Sequence, residues 1–232
     1  MFLAEGSKIV AELLESGMVV ERVYALPEWC DRYSALFHQY SNLVVLVSAS
    51  ELESVSALHT PQQVLALVRI PELPPDVVDN SAHLFYKGGI SLALDHLQDP
   101  GNMGTILRIA DWFGIRRVLC SPDCVDAYNP KTIQAAMGSI ARTEVVYTDL
   151  PALFSRFPDL PVCGALLHGE NLYQSSFSSA NGGFLLIGNE SVGIRPYLHS
   201  HLTHRVTIPR LGRAESLNAA VATGILCSWL IK

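Results

Sequence analysis

Apolar residues in this chain fall into short runs separated by polar stretches that carry proline and glycine, and the spacing inside each run tells strands from helices. Residues 8–16 place Ile9, Val10, Leu13 and Leu14 at helical spacing, which predicts a short amphipathic helix. Residues 19–26, 42–47 and 64–70 are β-rich runs, and 49–58 reads as a helix between them. The first 70 residues therefore predict a small α/β domain. Pro71, Pro74 and Pro75 then interrupt both helix and strand, so a linker is expected over 71–82.

From residue 83 to 232 the same alternation returns on a larger scale. Strands are expected at 91–94, 118–120, 144–147, 162–167, 184–187 and 206–208. Helices are expected at 102–113, 130–137 and 151–156, with a closing helix at 215–229. Short apolar strands alternating with helices make an α/β domain whose mainly parallel sheet is covered on both faces.

Composition adds limits. Hydrophobic residues make up 49% and charged residues 16% of the 232, enough for a sizeable core and incompatible with wholesale disorder. So few charges imply that a partner or second subunit covers some apolar surface. The net charge of −6 excludes binding of nucleic acid by a global field; a local patch would be needed. Candidates are Arg116, Arg117, Lys131, Arg142, Arg195, Arg205, Arg210 and Arg213, which also read as ordinary solvated charges. Five cysteines without regular spacing argue for a reducing compartment. Cys120 and Cys124 lack a second pair, and His199, His201 and His204 lack acidic or cysteine neighbours, so no metal site is expected. Phe2-Leu3-Ala4 runs straight into Glu5, unlike a secretory signal, and the longest apolar stretch, 219–231, is too short to span a bilayer. A soluble cytoplasmic protein is expected.

Three segments put chemistry at strand ends. The first runs from Leu94 through Asp99-Pro100-Gly101-Asn102-Met103-Gly104 to Arg108. Asn102 is placed as a helix N-cap, Met103, Ile106, Leu107 and Ala110 line one face, and Arg108 projects from the other. Gly104 is expected to clear space beside Arg108, giving an anion site; the alternative is a surface Arg108 paired with Asp111 at i+3. In the second segment, Gly188-Asn189-Glu190-Ser191-Val192-Gly193, Gly188 lets a ligand approach the backbone. Glu190 is a candidate to accept hydrogen bonds from a ligand or to hold Arg108, unless Asn189 and Glu190 only cap a turn. The third runs from Ile208-Pro209 to Ser216-Leu217-Asn218 and opens a helix near Ser216. Helix starts favour anionic or polar ligands, whereas Ala219, Ala220, Ala222 and Gly224 also suit plain core packing.

In this order the segments resemble the signature motifs of the SpoU/TrmH family of RNA ribose 2'-O-methyltransferases in the SPOUT superfamily: D-P-x-N-x-G-x-x-x-R, G-x-E-x-x-G and I-P-x-x-G-x-x-x-S-L-N. The stretch from Asn129-Pro130-Lys131 to Gly138-Ser139 is similar to that family as well, so the resemblance covers about residues 90–232. Residues 2–70 more loosely resemble an L30e-like RNA-binding domain, with 2–6 as its first strand and 60–64 as its closing one. The resemblance implies a deep trefoil knot, which general topology rules would not suggest. It also implies a homodimer that completes the active site, S-adenosylmethionine as cofactor, and RNA as substrate, ribosomal rather than transfer RNA because of the front domain.

By motif match, Asn102, Arg108, Glu190, Ser216 and Asn218 fall on catalytic positions. Leu166, Leu167, Gly188, Asn189, Ile208 and Leu217 flank the cofactor, and Lys131, Arg142, Arg210 and Arg213 are the cations assigned to RNA. Arg108 would act on a ribose bound mainly by the other subunit. A guanidinium stays protonated in a protein, so Arg108 is expected to orient a substrate phosphate that takes the proton, with Asn102 and Glu190 fixing the arginine. Two features depart from the family: relatives with this front domain often carry a basic helix before the first strand, which implies a truncated or minimal form here, and the net charge is acidic. The competing functions are transfer-RNA methylation and a non-catalytic assembly factor that binds the cofactor and RNA. A doubly wound nucleotide-binding enzyme lacks support, because no G-x-G-x-x-G or P-loop follows a first strand.

Overall fold

In the computed structural model, which describes residues 1–74, 77, 78, 89–177 and 182–231, the chain folds around two sheets. The front sheet holds β1 (Phe2–Glu5), β2 (Val20–Ala25), β3 (Val44–Leu46) and β4 (Val64–Val68) in the order β1-β4-β2-β3. β4 runs antiparallel to both neighbours and β2 parallel to β3. Helices α1 (Ser7–Glu15), α2 (Pro27–Arg32), α3 (Ser34–Gln39) and α4 (Ala49–Val55) join these strands. α1 buries the stripe Ile9, Val10, Leu13 and Leu14 that its sequence predicts. α4 is held by a capping box, in which Ser48 and Glu51 satisfy each other's backbone N–H.

The main sheet is entirely parallel, in the order β10-β8-β9-β5-β6-β7. Its strands are β5 (Ile90–Leu94), β6 (Arg117–Cys120), β7 (Glu144–Tyr147), β8 (Val162–Asn171), β9 (Gly183–Ile187) and β10 (His204–Thr207). Successive side chains divide between two apolar layers, as the pleat requires. Leu92, Leu94, Val118, Cys120, Leu185 and Ile187 join one layer, with helices α5 (Pro100–Trp112), α6 (Pro130–Ala136) and α8 (Ala219–Leu230). Ala93, Leu119, Phe184 and Leu186 join the other, with α7 (Leu150–Arg156) and Leu198. The first layer continues into the front sheet through Phe2, whose ring lies 5.1 Å from that of Tyr128. Gln134 on α6 donates to the Glu5 carbonyl at 2.6 Å, tying the two sheets together again.

Several element boundaries differ from expectation: α2 and α3 were not expected, α4 ends at Val55 and β10 spans His204–Thr207, and three further differences bear on the candidate site. α5 starts at Pro100, not at Asn102, because Asp99 is the cap: its carboxylate accepts from the Asn102 N–H at 2.7 Å, and Pro100 at the first helical position has no N–H to lose. α8 starts at Ala219, not Glu215, because Asn218 caps it and residues 210–218 are all exposed and non-helical. β8 runs on to Asn171, past the end expected at Leu167. Its register with β10 jumps between Arg205 and Val206, so residues 165–169 face no ladder partner there. Much of the expected linker, residues 75, 76 and 79–82, lies outside the described residues. Among those described, no helix is long and apolar enough to cross a membrane.

Candidate active site

Parallel pairing puts the carboxyl ends of β5, β6, β9 and β10 on one edge of the main sheet, where loops meet in open α/β folds. β5 and β9 are neighbours in register from Ile90–Gly183 to Leu94–Ile187, and the Asp95 N–H donates to the Ile187 carbonyl at 2.8 Å. The first and second segments therefore emerge side by side. The Asn102 amide links all three: its Nδ2 donates to Glu190 Oε1, and its Oδ1 accepts from Asn218 Nδ2 at 2.7 Å. The Asn218 Oδ1 in turn caps α8, accepting from the Ala220 and Val221 N–H groups. One short relay of amides thus joins segments separated by up to 116 positions in the chain.

Arg108 lies two turns along α5 from Asn102, exposed, and no ion pair or hydrogen bond engages it among the described residues. Pairing with Asp111 does not occur. Asp111 is taken instead by Arg142, whose Nε lies 2.9 Å from Oδ2, and by the Ser139 hydroxyl at 2.8 Å. Nor do Asn102 and Glu190 hold the guanidinium; they hold each other, because Glu190 sits beside the first turn of α5, where Asn102 projects. Gly104 serves packing and not the space around Arg108. A Cβ there would stand 2.4 Å from the Thr132 carbonyl oxygen and 2.6 Å from the Ala135 Cβ, so only glycine lets α6 cross α5 so closely.

The second segment folds back on itself. Asn189 and Gly193 exchange backbone hydrogen bonds, and the Asn189 Oδ1 accepts from the Ser191 and Val192 N–H groups. Its Nδ2 donates to the His96 carbonyl at 2.9 Å. Asn189 therefore caps the turn while Glu190 is left to reach Asn102. The glycine at 188 makes room for the returning leg of this loop: a Cβ would lie 2.2 Å from the Gly193 carbonyl carbon.

Behind this turn sits a cluster of charges that sequence reading missed, apart from naming Arg195 as a surface cation. Asp95 is fully buried and accepts from the Arg195 N–H at 2.8 Å and from its Nε at 2.7 Å. Arg195 Nη1 reaches Asp123 at 2.6 Å, and Asp123 also contacts Ser121 Oγ at 2.6 Å and His96 Nδ1 at 2.8 Å. Desolvation opposes the Asp123 charge, yet the hydrogen bonds from Ser121, Arg195 and His96 outweigh it and hold the carboxyl well below its usual range. The Asp95 carboxylate leads the effects that raise Arg195 above its ordinary value. His96 adopts a left-handed φ of 57°, forced as the chain leaves β5 toward the two loops. A polar residue at the end of an otherwise apolar strand, as in Leu92-Ala93-Leu94-Asp95, is the signal that would have found this cluster.

Ile208 packs against the main core, whereas Arg210, Arg213, Ser216 and Leu217 lie along the exposed loop before α8. Arg210 donates to the Ala214 carbonyl at 3.2 Å. Leu166 is half-buried against the second layer, and Leu167 is exposed in the unpaired part of β8, where its carbonyl accepts from Thr207 Oγ1 at 3.1 Å. Lys131 is exposed on the first turn of α6. Arg142 is not a free cation: it spans Asp111 and Glu12. The structure thus brings Asn102, Glu190 and Asn218 into contact, sets Arg108 on the same helix as Asn102, and leaves Ser216 and Leu217 on the loop leading into Asn218.

Comparison with known proteins identifies the family. Residues 89–228 match the SpoU rRNA Methylase family, and residues 1–66 match the MRM3-like substrate binding domain. The chain is 31% identical to a Bacillus subtilis 23S rRNA (guanosine(2553)-2'-O)-methyltransferase, RlmP, over 97% of this chain and 86% of that protein. It is also 31% identical to the mouse mitochondrial rRNA methyltransferase 3 over 62% of this chain, but spans only 34% of that relative's length. Among solved structures, a putative RNA methyltransferase of the TrmH family from Porphyromonas gingivalis superposes with a TM-score of 0.80 at 34% identity, covering 98% of this chain and 88% of that one. An AdoMet-bound rRNA methyltransferase from Sinorhizobium meliloti gives 0.83 at 26% identity, covering 98% and 85%. With a family match that spans every strand of the parallel sheet and a relative 31% identical over nearly the whole chain, this chain belongs to the SpoU rRNA methylase family.

Proposed function

We propose that the protein transfers a methyl group from S-adenosylmethionine to a ribose 2'-hydroxyl of ribosomal RNA. The observation that carries this reading is the contact of Asn102 with both Glu190 and Asn218, on the same helix as an exposed Arg108 that no described residue pairs with. The relatives named above act on ribosomal RNA by their own names, and the Sinorhizobium neighbour was solved with AdoMet bound. The chain's residues suit such a cofactor: the loop 210–218 is exposed along its length, and Ile208 anchors its start. Backbone around Gly188, Asn189, Ile208 and Leu217 would hold the cofactor, with Leu166 and Leu167 beside its base.

When bound, the cofactor supplies an electrophilic methyl group carried on a sulfonium. Arg108 would orient a phosphate of the substrate that accepts the hydroxyl proton, so that the ribose oxygen could take the methyl carbon as its bond to the sulfonium sulfur breaks, leaving S-adenosylhomocysteine as a neutral thioether. Asn102, fixed by Glu190 and Asn218, sets the first turn of α5, while Ser216 and Asn218 border the ribose. Lys131, Arg210 and Arg213 contribute the local positive charge that an acidic chain needs for RNA; Arg142 is spent on internal carboxylates.

The reading includes an L30e-like RNA-binding unit at 1–70, a linker at 71–82 and a methyltransferase unit at 83–232, supported by the separate match of residues 1–66. It includes a knotted path: β10 lies at the sheet edge beyond β8, whereas α8, which follows directly, packs against α5. It includes a homodimer, for which the support is exposed apolar side chains on α5, α8 and the loop before α8: Trp112 is 85% exposed, Leu211 fully, and Val221 and Leu217 about half. A cytoplasmic setting fits five free cysteines, all buried. Ribose-methylation mapping of total RNA from cells with and without the protein tests the reading. Loss of one 2'-O-methyl site in ribosomal RNA is expected; an unchanged map, or no binding of S-adenosylmethionine by calorimetry, refutes it.

A further inference from the structure

Arg108 and Asp111 stand three residues apart on α5, the spacing at which opposite charges on a helix surface attract each other. A phosphate would then have to displace Asp111 before it could be held. The carboxylate is instead turned to other partners. Arg142 approaches it with Nε at 3.1 and 2.9 Å from its two oxygens and with Nη2 at 2.8 Å, and the buried Ser139 donates its hydroxyl at 2.8 Å. Arg142 Nη2 also lies 3.2 Å from Glu12 Oε2, on α1 of the front unit. Gly138 permits that approach: a Cβ there would sit 2.4 Å from the same Glu12 oxygen. One guanidinium therefore grips the carboxylate nearest Arg108 along the helix and, at the same time, a carboxylate of the front unit.

We propose that Arg142 is a positioning residue that keeps Arg108 available to substrate by holding Asp111, with Glu12 of the front unit steadying that hold. The inference rests on the methyltransferase reading above. It links docking of the front unit to the state of the catalytic helix through Glu12, Arg142, Asp111 and Arg108. Arg142 acts through Asp111 and touches neither cofactor nor ribose.

Single-turnover methyl transfer tests this, using ribosomal RNA purified from cells lacking the protein and radiolabelled S-adenosylmethionine. Arg142→Gln releases Asp111 toward Arg108, and an exposed ion pair of that kind is expected to slow transfer about fivefold. Asp111→Asn alone is expected to stay within about twofold of wild type, since the amide cannot pair with Arg108 electrostatically. The double variant is expected to return to the level of Asp111→Asn, a rescue that a merely structural role of Arg142 would not give. Arg142→Lys keeps a cation beside Glu12, and so keeps the front unit docked, but loses the two-pronged grip. It should show a smaller defect, again relieved by Asp111→Asn, and it carries the test if Arg142→Gln melts below the assay temperature. Calorimetric affinity for S-adenosylmethionine should be unchanged throughout. A double variant as slow as Arg142→Gln, or an Arg142→Gln protein as fast as wild type, overturns the inference while the methyltransferase reading stands. Absence of transfer by the wild type overturns that reading, and the inference with it.

Discussion

Two polar networks sit a few residues apart on the same sheet edge, and they are built on opposite plans. The cluster of Asp95, Arg195, Asp123, Ser121 and His96 is charged, and its carboxylates and guanidinium answer one another. The relay of Glu190, Asn102 and Asn218 is mostly neutral amides at a partly exposed surface, with Arg108 nearby unpaired among the described residues. A buried charge without a partner costs several kcal/mol, so the first network is complete within the chain. Amides and an exposed guanidinium are tolerated by water, so the second can keep donors and acceptors for a ligand. The saturated network sets the path of the loop at 188–195, and the open one is where chemistry can occur.

The sharpest way to break this contrast is to remove the buried carboxylate. Asp95→Ala leaves Arg195 without its innermost partner and should destabilise the fold by about 3–5 kcal/mol, read by chemical denaturation. A loss under about 1 kcal/mol would mean that the cluster does not organise the loop. Arg108→Ala is expected to do the reverse. Transfer should fall about a hundredfold through lost positioning, while stability moves by no more than about 0.5 kcal/mol, as for an exposed side chain without partners. An Arg108→Ala protein that melts much earlier than wild type would show that the guanidinium is already used within the fold.

Asn102→Ala lies between these extremes. It removes two hydrogen bonds at a half-buried site, worth about 1 kcal/mol each, and should slow transfer about tenfold by loosening the first turn of α5. If stability falls as far as in Asp95→Ala, the two networks are not of different kinds. The smallest effect is on acid stability. Asp123 titrates below its ordinary range in the folded chain, so its stabilising contribution is present at neutral pH. That contribution begins to fade near the unfolded carboxylate value of about 4 and is lost as pH falls through the lowered folded value. Melting temperature followed downward from neutral pH should fall less steeply for Asp123→Asn than for wild type; parallel curves would place the acid-sensitive group elsewhere.

What the sequence determined by itself is what local physics dictates. The stripe Ile9, Val10, Leu13, Leu14 and the alternating strands of the parallel sheet could be read directly, because helix and pleat periods force apolar residues to those spacings. Asn102 could be singled out as a helix cap and Glu190 as a carboxylate in a glycine loop after an apolar strand, whereas Asn218 was marked by the resemblance of the third segment to a family motif. Their partners could not be singled out. Asp99 or Asn102 would each cap α5, and only the folded backbone chose Asp99. Gly104 and Gly188 were chosen by close approach of backbone from elsewhere in the fold, which no spacing encodes. The ion pairs of Asp111 with Arg142 and of Asp95 with Arg195 join residues 31 and 100 positions apart, and such pairs exist only after strand order has brought the segments together. Tertiary structure thus decided which charges are satisfied inside the chain and which, like Arg108, remain for a ligand.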